Sequence, residues 1–164
     1  AYGFERTAAG EWRTVIPATD GHVGKNGVTA DKREGDGKTP KGLFTLTTAF
    51  GIQPDPGSGL PYRQVTAESY WVDDQNSRFY NQWVEGTGDK DWASAEHLID
   101  YAAQYAYGAV VDHNTDPIVP GSGSAIFLHC GSRPTAGCVS LPRETVVGIL
   151  KWLSPEQTPS ILIF

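Results

Sequence analysis

The sequence predicts a mainly β domain with two helices. Its 164 residues include 19 glycines and 11 prolines, and this content of turn residues favours short strands over long helices. Short segments rich in β-branched and aromatic residues lie between the turns, as expected of strands. Only two segments repeat their apolar residues at the spacing of one helix face. No linker or internal repeat divides the chain, so residues 1–164 are expected to form one domain.

Each element is predicted from its local pattern. The strands follow from short β-branched, aromatic or uniformly apolar runs at 12–16, 43–48, 107–111, 125–128 and 160–164. The first helix is predicted over 92–105, where apolar residues recur at i, i+3, i+4 and i+7: Ala95, Leu98, Ile99 and Ala102. The second spans 141–153, with one proline in its first turn and another after its end. The glycine-rich segment 20–41 predicts hairpins and tight turns.

Composition limits the possible partners. The net charge is −6, from 19 acidic and 13 basic residues, which argues against nucleic acid or an anionic membrane because both require a cationic surface. No apolar run is long enough to predict a transmembrane span. The two cysteines and four histidines do not have a usual zinc spacing, so we expect neither a metal nor another cofactor.

The two cysteines, Cys130 and Cys138, lie eight residues apart. Composition leaves three interpretations open, namely a local disulfide, two inert core thiols or one catalytic thiol. A disulfide would silence a catalytic thiol and could act as a redox switch. Because consecutive strand residues point to opposite faces, a histidine at 129 that faces Cys138 would turn Cys130 away from it.

The segment 124–142 has the pattern of a nucleophile and its base. A buried strand ends in His129, a short loop follows, and Cys138 comes after Gly137 and shortly before the predicted second helix. A thiol near a helix N-terminus has a lowered pKa, and a histidine one loop away can take its proton. Gly137 would let the backbone turn sharply and direct N–H groups at an oxyanion. The pattern fits a Cys–His acyltransferase or hydrolase, although a core cysteine and a structural histidine would give the same spacing.

Several ordered motifs resemble one family. Ile126-Phe-Leu-His129 followed by Thr135-Ala-Gly-Cys138-Val-Ser resembles the active-site signature of YkuD-type L,D-transpeptidases. Three further segments look like those of secreted actinobacterial members: Gly24 to Gly27, Asp36 to Gly42 with the strand after it, and Tyr107 to Pro117. The resemblance runs from about residue 21 to residue 153.

The resemblance implies a β-sandwich-like pair of sheets with the active site at one end. Cys138 would be the nucleophile and His129 the general base, and the N–H groups of Gly137 and Cys138 would form part of the oxyanion hole. The backbone carbonyl of Cys130 would orient the imidazole. The family implies a monomeric, secreted, cell-wall enzyme without a cofactor. It would release D-Ala from a peptidoglycan stem tetrapeptide and crosslink the resulting thioester to a second stem amine.

Three departures from the family pattern leave alternatives open. His129 and Cys138 are nine residues apart, which is shorter than usual. Ala136 stands where most members have a second histidine, and Ser140 replaces the usual Asn or Arg. Some members with alanine at that place are amidases. An L,D-carboxypeptidase or amidase is therefore the alternative, and a non-catalytic wall-binding module is a further one.

Six residues are candidates for substrate contact: His113, Asn114, Thr135, Arg133, Trp71 and Arg33. The first two follow a predicted strand in a loop that could face the site. Thr135 and Arg133 belong to the active-site loop, where the arginine could steer an anionic stem peptide. Trp71 could form a lid or a carbohydrate platform, and Arg33 could pair with a substrate carboxylate. The structural alternatives are turn formation, core packing and solvated surface charge.

Overall fold

The computed structural model describes all 164 residues and is mainly β, as predicted. The chain forms thirteen strands: β1 (Gly3–Arg6), β2 (Trp12–Ile16), β3 (Val28–Thr29), β4 (Thr39–Pro40), β5 (Gly42–Gly51), β6 (Tyr62–Gln64), β7 (Ser69–Val72), β8 (Trp83–Glu85), β9 (Ala95–His97), β10 (Gly108–Val111), β11 (Phe127–Cys130), β12 (Val139–Leu141) and β13 (Ser160–Ile163). The helical elements are α1 (Arg143–Trp152) and three 3-10 turns at Leu98–Asp100, Gln104–Ala106 and Pro155–Gln157.

A central sheet in the order β12-β11-β10-β5-β13, with β6 also paired to β5, organises the molecule. β11 and β12 are parallel, and Leu128 lies opposite Val139 while His129 lies opposite Ser140. Because side chains alternate along a strand, Leu128 and Cys130 point to one face of the sheet and His129 to the other. Continuing this register by one residue places Cys138 beside Phe127, on the same face as His129.

The two faces of the central sheet have different compositions. We call the first the aliphatic face because its buried cluster consists mostly of aliphatic side chains, with Cys130 among them. Helix α1 covers it with Val146 and Leu150, which are fully buried. We call the other the aromatic face, since Phe50, Phe127 and other aromatic side chains surround Cys138 there. Burial of both apolar surfaces removes them from water and drives the sheet to fold between two layers.

A second sheet, in the order β8-β7-β9, lies over the aromatic face, and we call it the roof sheet. Trp71 in its central strand packs edge-on against Phe127, with ring centroids 4.9 Å apart. The indole N–H of Trp71 donates to Asn81 Oδ1 at 3.0 Å, and the same oxygen accepts the Ala125 N–H at 3.1 Å. The buried tryptophan thus joins the roof sheet to the segment that precedes β11.

The segment 20–41 runs along the free edge of β12, and we call it the strap. His22 and Ser140 exchange backbone hydrogen bonds of 2.9 Å in each direction, and the Lys25 N–H donates to the Thr135 carbonyl at 2.8 Å. β3 and β4 pair with each other inside the strap. The predicted tight turns of this segment are present, but the predicted hairpins are not, because β3 and β4 pair in parallel. The pairing of the strap with β12 covers an edge that would otherwise expose unpaired backbone groups.

The predicted first helix is wrong. Residues 92–105 form β9 and two 3-10 turns instead. Pairing of β9 with β7, in which Glu96 lies opposite Trp71, gives the backbone a sheet partner that outweighs a weak helical periodicity. Only Leu98 of the four periodic positions is fully buried, and Ala102 is exposed. The second helix and the strands predicted around the central sheet are present, with the fourth strand shifted to Phe127–Cys130.

Candidate active site

The Cys138 thiol lies just before β12 on the aromatic face. Its Sγ donates a hydrogen bond to the Ala125 carbonyl at 3.2 Å and accepts the Phe127 N–H at 3.4 Å. Burial raises the pKa of the Cys138 thiol, and the nearby Glu96 carboxylate raises it further. The resting Cys138 side chain is therefore a neutral thiol whose proton is held by a backbone carbonyl.

The expected lowering of the thiol pKa by the helix dipole is wrong. Strand β12 and Pro142 separate Cys138 from the first residue of α1, Arg143. The helix dipole acts only within about the first turn, so it does not reach this thiol. The sequence places the cysteine a few residues before the helix, but those residues form a strand that carries the chain away from the helix axis.

The His129 imidazole is buried on the same sheet face, and one of its nitrogens is fixed. Its Nδ1–H donates to the Cys130 carbonyl at 2.8 Å, which leaves the lone pair on Nε2. Burial lowers the pKa of His129, so the imidazole is neutral at pH 7. The Tyr105 ring packs edge-on against it at a centroid distance of 5.6 Å. This arrangement provides a neutral base with a defined proton-accepting atom.

No hydrogen bond joins Cys138 to His129 in this resting arrangement. The pair sits diagonally on neighbouring parallel strands, because His129 lies opposite Ser140, two residues after Cys138. Proton transfer between the two side chains would require the thiol to leave the Ala125 carbonyl. Catalytic hydrogen bonds are often loose without substrate and tighten when it binds.

The two cysteines are free thiols on opposite faces of the sheet. The Cys130 Sγ donates to the Tyr107 carbonyl at 3.4 Å inside the aliphatic face. Opposite orientation of the two side chains prevents a disulfide without a backbone rearrangement. Of the three interpretations left open by composition, the local disulfide is therefore absent from this structure.

The turn from Thr135 to Cys138 is fixed by a threonine side chain. Thr135 Oγ1 donates to the Cys138 carbonyl at 2.6 Å and accepts the Gly137 N–H at 3.1 Å. The Cys138 N–H has no hydrogen-bond partner. Of the two N–H groups expected in an oxyanion hole, the one at Cys138 is free and the one at Gly137 is occupied.

Gly137 is required for space and not for a sharp left-handed turn. Its φ is not positive, and a Cβ added at this position would lie 3.1 Å from the Lys38 carbonyl oxygen of the strap. The same Cβ would lie 3.2 Å from Ile126 Cδ1. A larger residue would therefore push the strap away from the turn that carries Cys138.

Above Cys138 is a cavity of about 210 Å³. Its walls come from the strap, the roof sheet, the segment before β11 and the Cys138 turn: Lys32, Glu34, Gly35, Asp73, Glu96, Ser124, Ala125, Ile126, Ala136, Gly137 and Cys138. His129 is not part of this lining, although it lies on the same sheet face as Cys138. The Cys138 thiol is therefore at the wall of a cavity.

Strap side chains in the cavity are held by specific partners. Lys32 Nζ pairs with Asp36 Oδ1 at 2.6 Å, and the lysine side chain is 6% exposed. The Glu34 carboxylate accepts hydrogen bonds from the Tyr80 hydroxyl and, at 2.8 Å, from Ser124 Oγ. These contacts fix the strap over the cavity and satisfy two of its charged groups.

Glu96 brings a carboxylate into the cavity from the roof sheet. Burial raises the pKa of Glu96 to about 7, while a hydrogen bond from the Tyr105 hydroxyl opposes the shift and the charges of Asp73 and Glu34 add to it. Asp73 Oδ1 is buried without any hydrogen-bond partner. Glu34, Asp73 and Glu96 together make the cavity acidic, although they are not arranged as a metal site.

Two predicted substrate contacts lie away from the cavity. The Arg33 side chain is 71% exposed and pairs with Asp31 at 3.0 Å, while its neighbour Lys32 points inward. Trp71 is buried in the contact between the two sheets, so it offers no open ring face for a sugar. The prediction of a carbohydrate platform at Trp71 is wrong because packing on Phe127 uses its ring surface.

The remaining candidates shape loops next to the site. His113 Nε2 bonds the Ser122 carbonyl at 2.8 Å, and the Asn114 amide donates to the Val119 and Gly123 carbonyls. These contacts favour the turn-forming interpretation of both residues over direct substrate contact. Arg133 is exposed on the loop between β11 and β12, and its carbonyl accepts the Ser140 hydroxyl at 3.0 Å.

Sequence reasoning missed the charged residues of the cavity. Lys32 and Glu34 were not distinguished from their neighbours, although residues 32, 34 and 36 alternate with more exposed ones. The sequence does not show this alternation, because residues 31 and 33 are charged as well, and which side chains point inward depends on the strap docking against β12. Glu96 was hidden inside the wrongly predicted helix.

Comparison with known proteins provides the family. A family model described as the L,D-transpeptidase catalytic domain, YkuD, matches residues 8–162, which is nearly the whole chain. No match is found among curated proteins or among solved structures. None of the helices is both long and apolar enough to cross a membrane. Given the extent of the match, this chain belongs to the YkuD family of L,D-transpeptidase catalytic domains.

Proposed function

We propose that this protein is a peptidoglycan L,D-transpeptidase in which Cys138 forms a thioester with a stem tetrapeptide, releases D-Ala and transfers the acyl group to a second stem amine. The observation that carries this proposal is the arrangement of Cys138 and His129. The thiol reaches an open cavity, and the imidazole lies on the same sheet face with its tautomer fixed by the Cys130 carbonyl. Family membership supports the reaction class and the peptidoglycan substrate.

The first step begins with a neutral pair. Cys138 rotates its thiol from the Ala125 carbonyl toward His129 Nε2, which takes the proton as the sulfur attacks the carbonyl of the third stem residue. A carbon–sulfur bond forms, and the Cys138 N–H donates to the resulting oxyanion. Collapse breaks the bond to the D-Ala nitrogen, and the imidazolium returns its proton to that leaving amine.

A neutral resting pair has a consequence for this step. Burial raises the pKa of the thiol and lowers that of the imidazole, so an ion pair does not form before substrate arrives. His129 therefore acts as a general base during attack. The buried thiol is also poorly ionised between turnovers, which protects it from oxidation. This protection suits the extracytoplasmic, cell-wall location that we propose for the protein.

Hydrolysis on the same scaffold is the second candidate. Ala136 lines the cavity mouth at the position where most family members carry a histidine, so no second imidazole faces the thioester. If water resolves the intermediate, the protein is an L,D-carboxypeptidase or amidase. The two candidates share the thioester and differ only in the second nucleophile.

Mass spectrometry of a disaccharide-tetrapeptide incubated with reduced protein tests the proposal, with Cys138→Ala as the comparison. A transpeptidase gives crosslinked stem dimers and free D-Ala, and the alanine variant gives neither. Tripeptide without dimers would favour the hydrolase. Identical products from both proteins would contradict any role for Cys138 and would favour the non-catalytic wall-binding module.

A further inference from the structure

Transfer of the acyl group to an amine requires two proton acceptors, and His129 is only one of them. Under the proposed function, the second stem presents an ammonium group with a pKa of about 10.4 when free. This group must lose two protons to become an amide N–H. His129 can pass one of them to the departing Cys138 sulfur. The other needs a base on the side from which the amine approaches the thioester.

Glu96 lies in the position that this second base requires. Its carboxylate is on the roof sheet, in the wall of the same cavity as Cys138. The opposite wall includes Cys138, so a ligand in the cavity would lie between Glu96 and the Cys138 side chain. Trp71, opposite Glu96 in the strand pairing, anchors this part of the roof to Phe127. The carboxylate is therefore held in place by a rigid support.

The Tyr105 hydroxyl fixes one oxygen of the carboxylate. It donates to Glu96 Oε2, and the Tyr105 ring packs against His129 from the roof side. Glu96 Oε1 has no hydrogen-bond partner in the protein. One carboxylate oxygen is thus committed to positioning, and the other remains available to a ligand in the cavity.

We propose that Glu96 is a catalytic base for the acyl acceptor, with its carboxylate taking the first proton from the incoming ammonium group opposite the Cys138 thioester. The proton leaves nitrogen and gives a neutral carboxylic acid and a free amine. The amine attacks the thioester carbonyl, a carbon–nitrogen bond forms and the carbon–sulfur bond breaks. His129 takes the second proton and gives it to the thiolate, which restores Cys138 for another cycle.

The surroundings of Glu96 suit this role. Asp73 and Glu34 add negative charge that attracts a cation, while Lys32 is neutralised by its ion pair with Asp36. Tyr101 and Tyr105 also face the carboxylate, and on the other wall is the neutral Cys138, with the neutral His129 on the same sheet face. With its pKa near 7, Glu96 can both accept a proton and release it to solvent at neutral pH.

The test separates acyl transfer from thioester formation. Glu96→Gln keeps an acceptor for the Tyr105 hydroxyl but cannot take a proton. We expect it still to form the Cys138 thioester with release of one D-Ala per protein in the first turnover, and to lower the ratio of crosslinked dimer to hydrolysed tripeptide at pH 7 by about tenfold or more. The ratio should recover toward pH 10 as the amine loses its first proton to solvent. Glu68→Gln removes the same charge outside the cavity and is the matched control.

Tyr105→Phe provides a second variant. The Tyr105 hydrogen bond lowers the pKa of Glu96, so its loss should raise that pKa and move the pH dependence of the dimer-to-tripeptide ratio upward. A purely structural role for Glu96 would not produce this shift.

Three outcomes would overturn the inference. One is a ratio of dimer to tripeptide in Glu96→Gln that equals the ratio in Glu68→Gln at every pH from 6 to 10. Another is loss of the first-turnover release of D-Ala in Glu96→Gln, which would place Glu96 in thioester formation or in folding. The third is an unaltered protein that forms no Cys138 adduct. Only this third result also removes the proposed function, and intact-protein mass spectrometry distinguishes it from the other two.

Discussion

The two faces of the central sheet have different roles, although the same strands form both. On β11, Cys130 points into the aliphatic face, where its thiol donates to a backbone carbonyl and belongs to a cluster of mostly aliphatic side chains. One residue earlier, His129 points to the aromatic face, where polar side chains line a cavity. The aliphatic face is closed by a helix, whereas the aromatic face leaves room for a ligand beside Cys138. Because side chains alternate along β11, the residues that stabilise the fold and the residues proposed for catalysis lie on opposite faces of the same sheet.

Polar groups on the aromatic face have a cost in stability. A buried thiol and a buried imidazole stay neutral, and Asp73 Oδ1 lacks a hydrogen-bond partner. Unpartnered polar atoms destabilise a fold when they are removed from water. The closed aliphatic face has no such atoms among its core side chains and offsets this cost. Substitutions on the aromatic face should therefore mainly affect the reaction, and substitutions on the aliphatic face should mainly affect the free energy of unfolding.

The largest expected effect is on catalysis, from His129→Gln on the aromatic face. Glutamine can still donate to the Cys130 carbonyl but cannot accept the thiol proton, so the rate of D-Ala release should fall by about 10²–10⁴. The rate is measured by quantifying free D-Ala from a disaccharide-tetrapeptide. Unfolding in denaturant should show a much smaller change, since the hydrogen bond that holds the side chain can persist.

His97→Gln is the matched histidine control. His97 lies on β9, stacks on Tyr70 at a centroid distance of 4.6 Å and bonds the Ala67 carbonyl at 2.7 Å. It does not line the cavity. The control should keep the rate of D-Ala release, and equal losses in both histidine variants would contradict the assignment of His129 as the base.

The next effect is on stability, from Leu150→Ala on the aliphatic face. Leu150 is fully buried between α1 and the central sheet. Removing its side chain leaves a cavity, so the free energy of unfolding should fall by about 2–5 kcal/mol. Denaturant unfolding measures this change. At temperatures where the variant remains folded, D-Ala release should proceed at the original rate.

Leu43→Ala is the corresponding surface control, because Leu43 is 69% exposed on β5. Its free energy of unfolding should stay within about 0.5 kcal/mol of the original value. If Leu150→Ala instead lowered the rate of D-Ala release in a fully folded protein, the proposed separation of the two faces would be wrong.

The sequence predicted the central sheet better than the roof sheet, and the reason is physical. Residues 125–128 and 141–153 carry apolar patterns that depend only on burial, and these elements appear nearly where expected. β9 depends on a partner strand more than twenty residues away, which local periodicity cannot reveal. A helical spacing of apolar residues therefore misled the prediction for 92–105.

For the candidate site, the sequence predicted the pair of His129 and Cys138 but not the cavity beside them. His129 and Cys138 could be proposed together because a short segment carries both. The cavity depends on contacts between distant segments, such as the hydrogen bond between Ser124 and Glu34, ninety residues apart. The thiol pKa was expected to fall and is raised, because burial by the roof sheet is a tertiary effect. Local sequence patterns do not carry this information.

The smallest effect is expected from Ala125→Gly, beside Cys138. Ala125 has a φ of 53°, a left-handed conformation that disfavours any residue with a Cβ. Glycine should relieve this strain and raise the free energy of unfolding by about 1 kcal/mol, as measured by denaturant unfolding. Ala109→Gly is the matched control with the opposite sign, since Ala109 is fully buried in β10 on the aliphatic face and its φ is not positive.

Strain at Ala125 has a structural cause on the aromatic face. The Ala125 N–H donates to Asn81 Oδ1, and its carbonyl accepts the Cys138 thiol. These two bonds fix the peptide groups on both sides of the residue and thereby hold it in the unfavourable conformation. If Ala125→Gly destabilised the protein as Ala109→Gly is expected to, the strain would be too small to matter. A gain in stability would instead show that the hydrogen bonds holding the Cys138 thiol strain the backbone at Ala125 and so destabilise the fold. The aliphatic face carries no such cost.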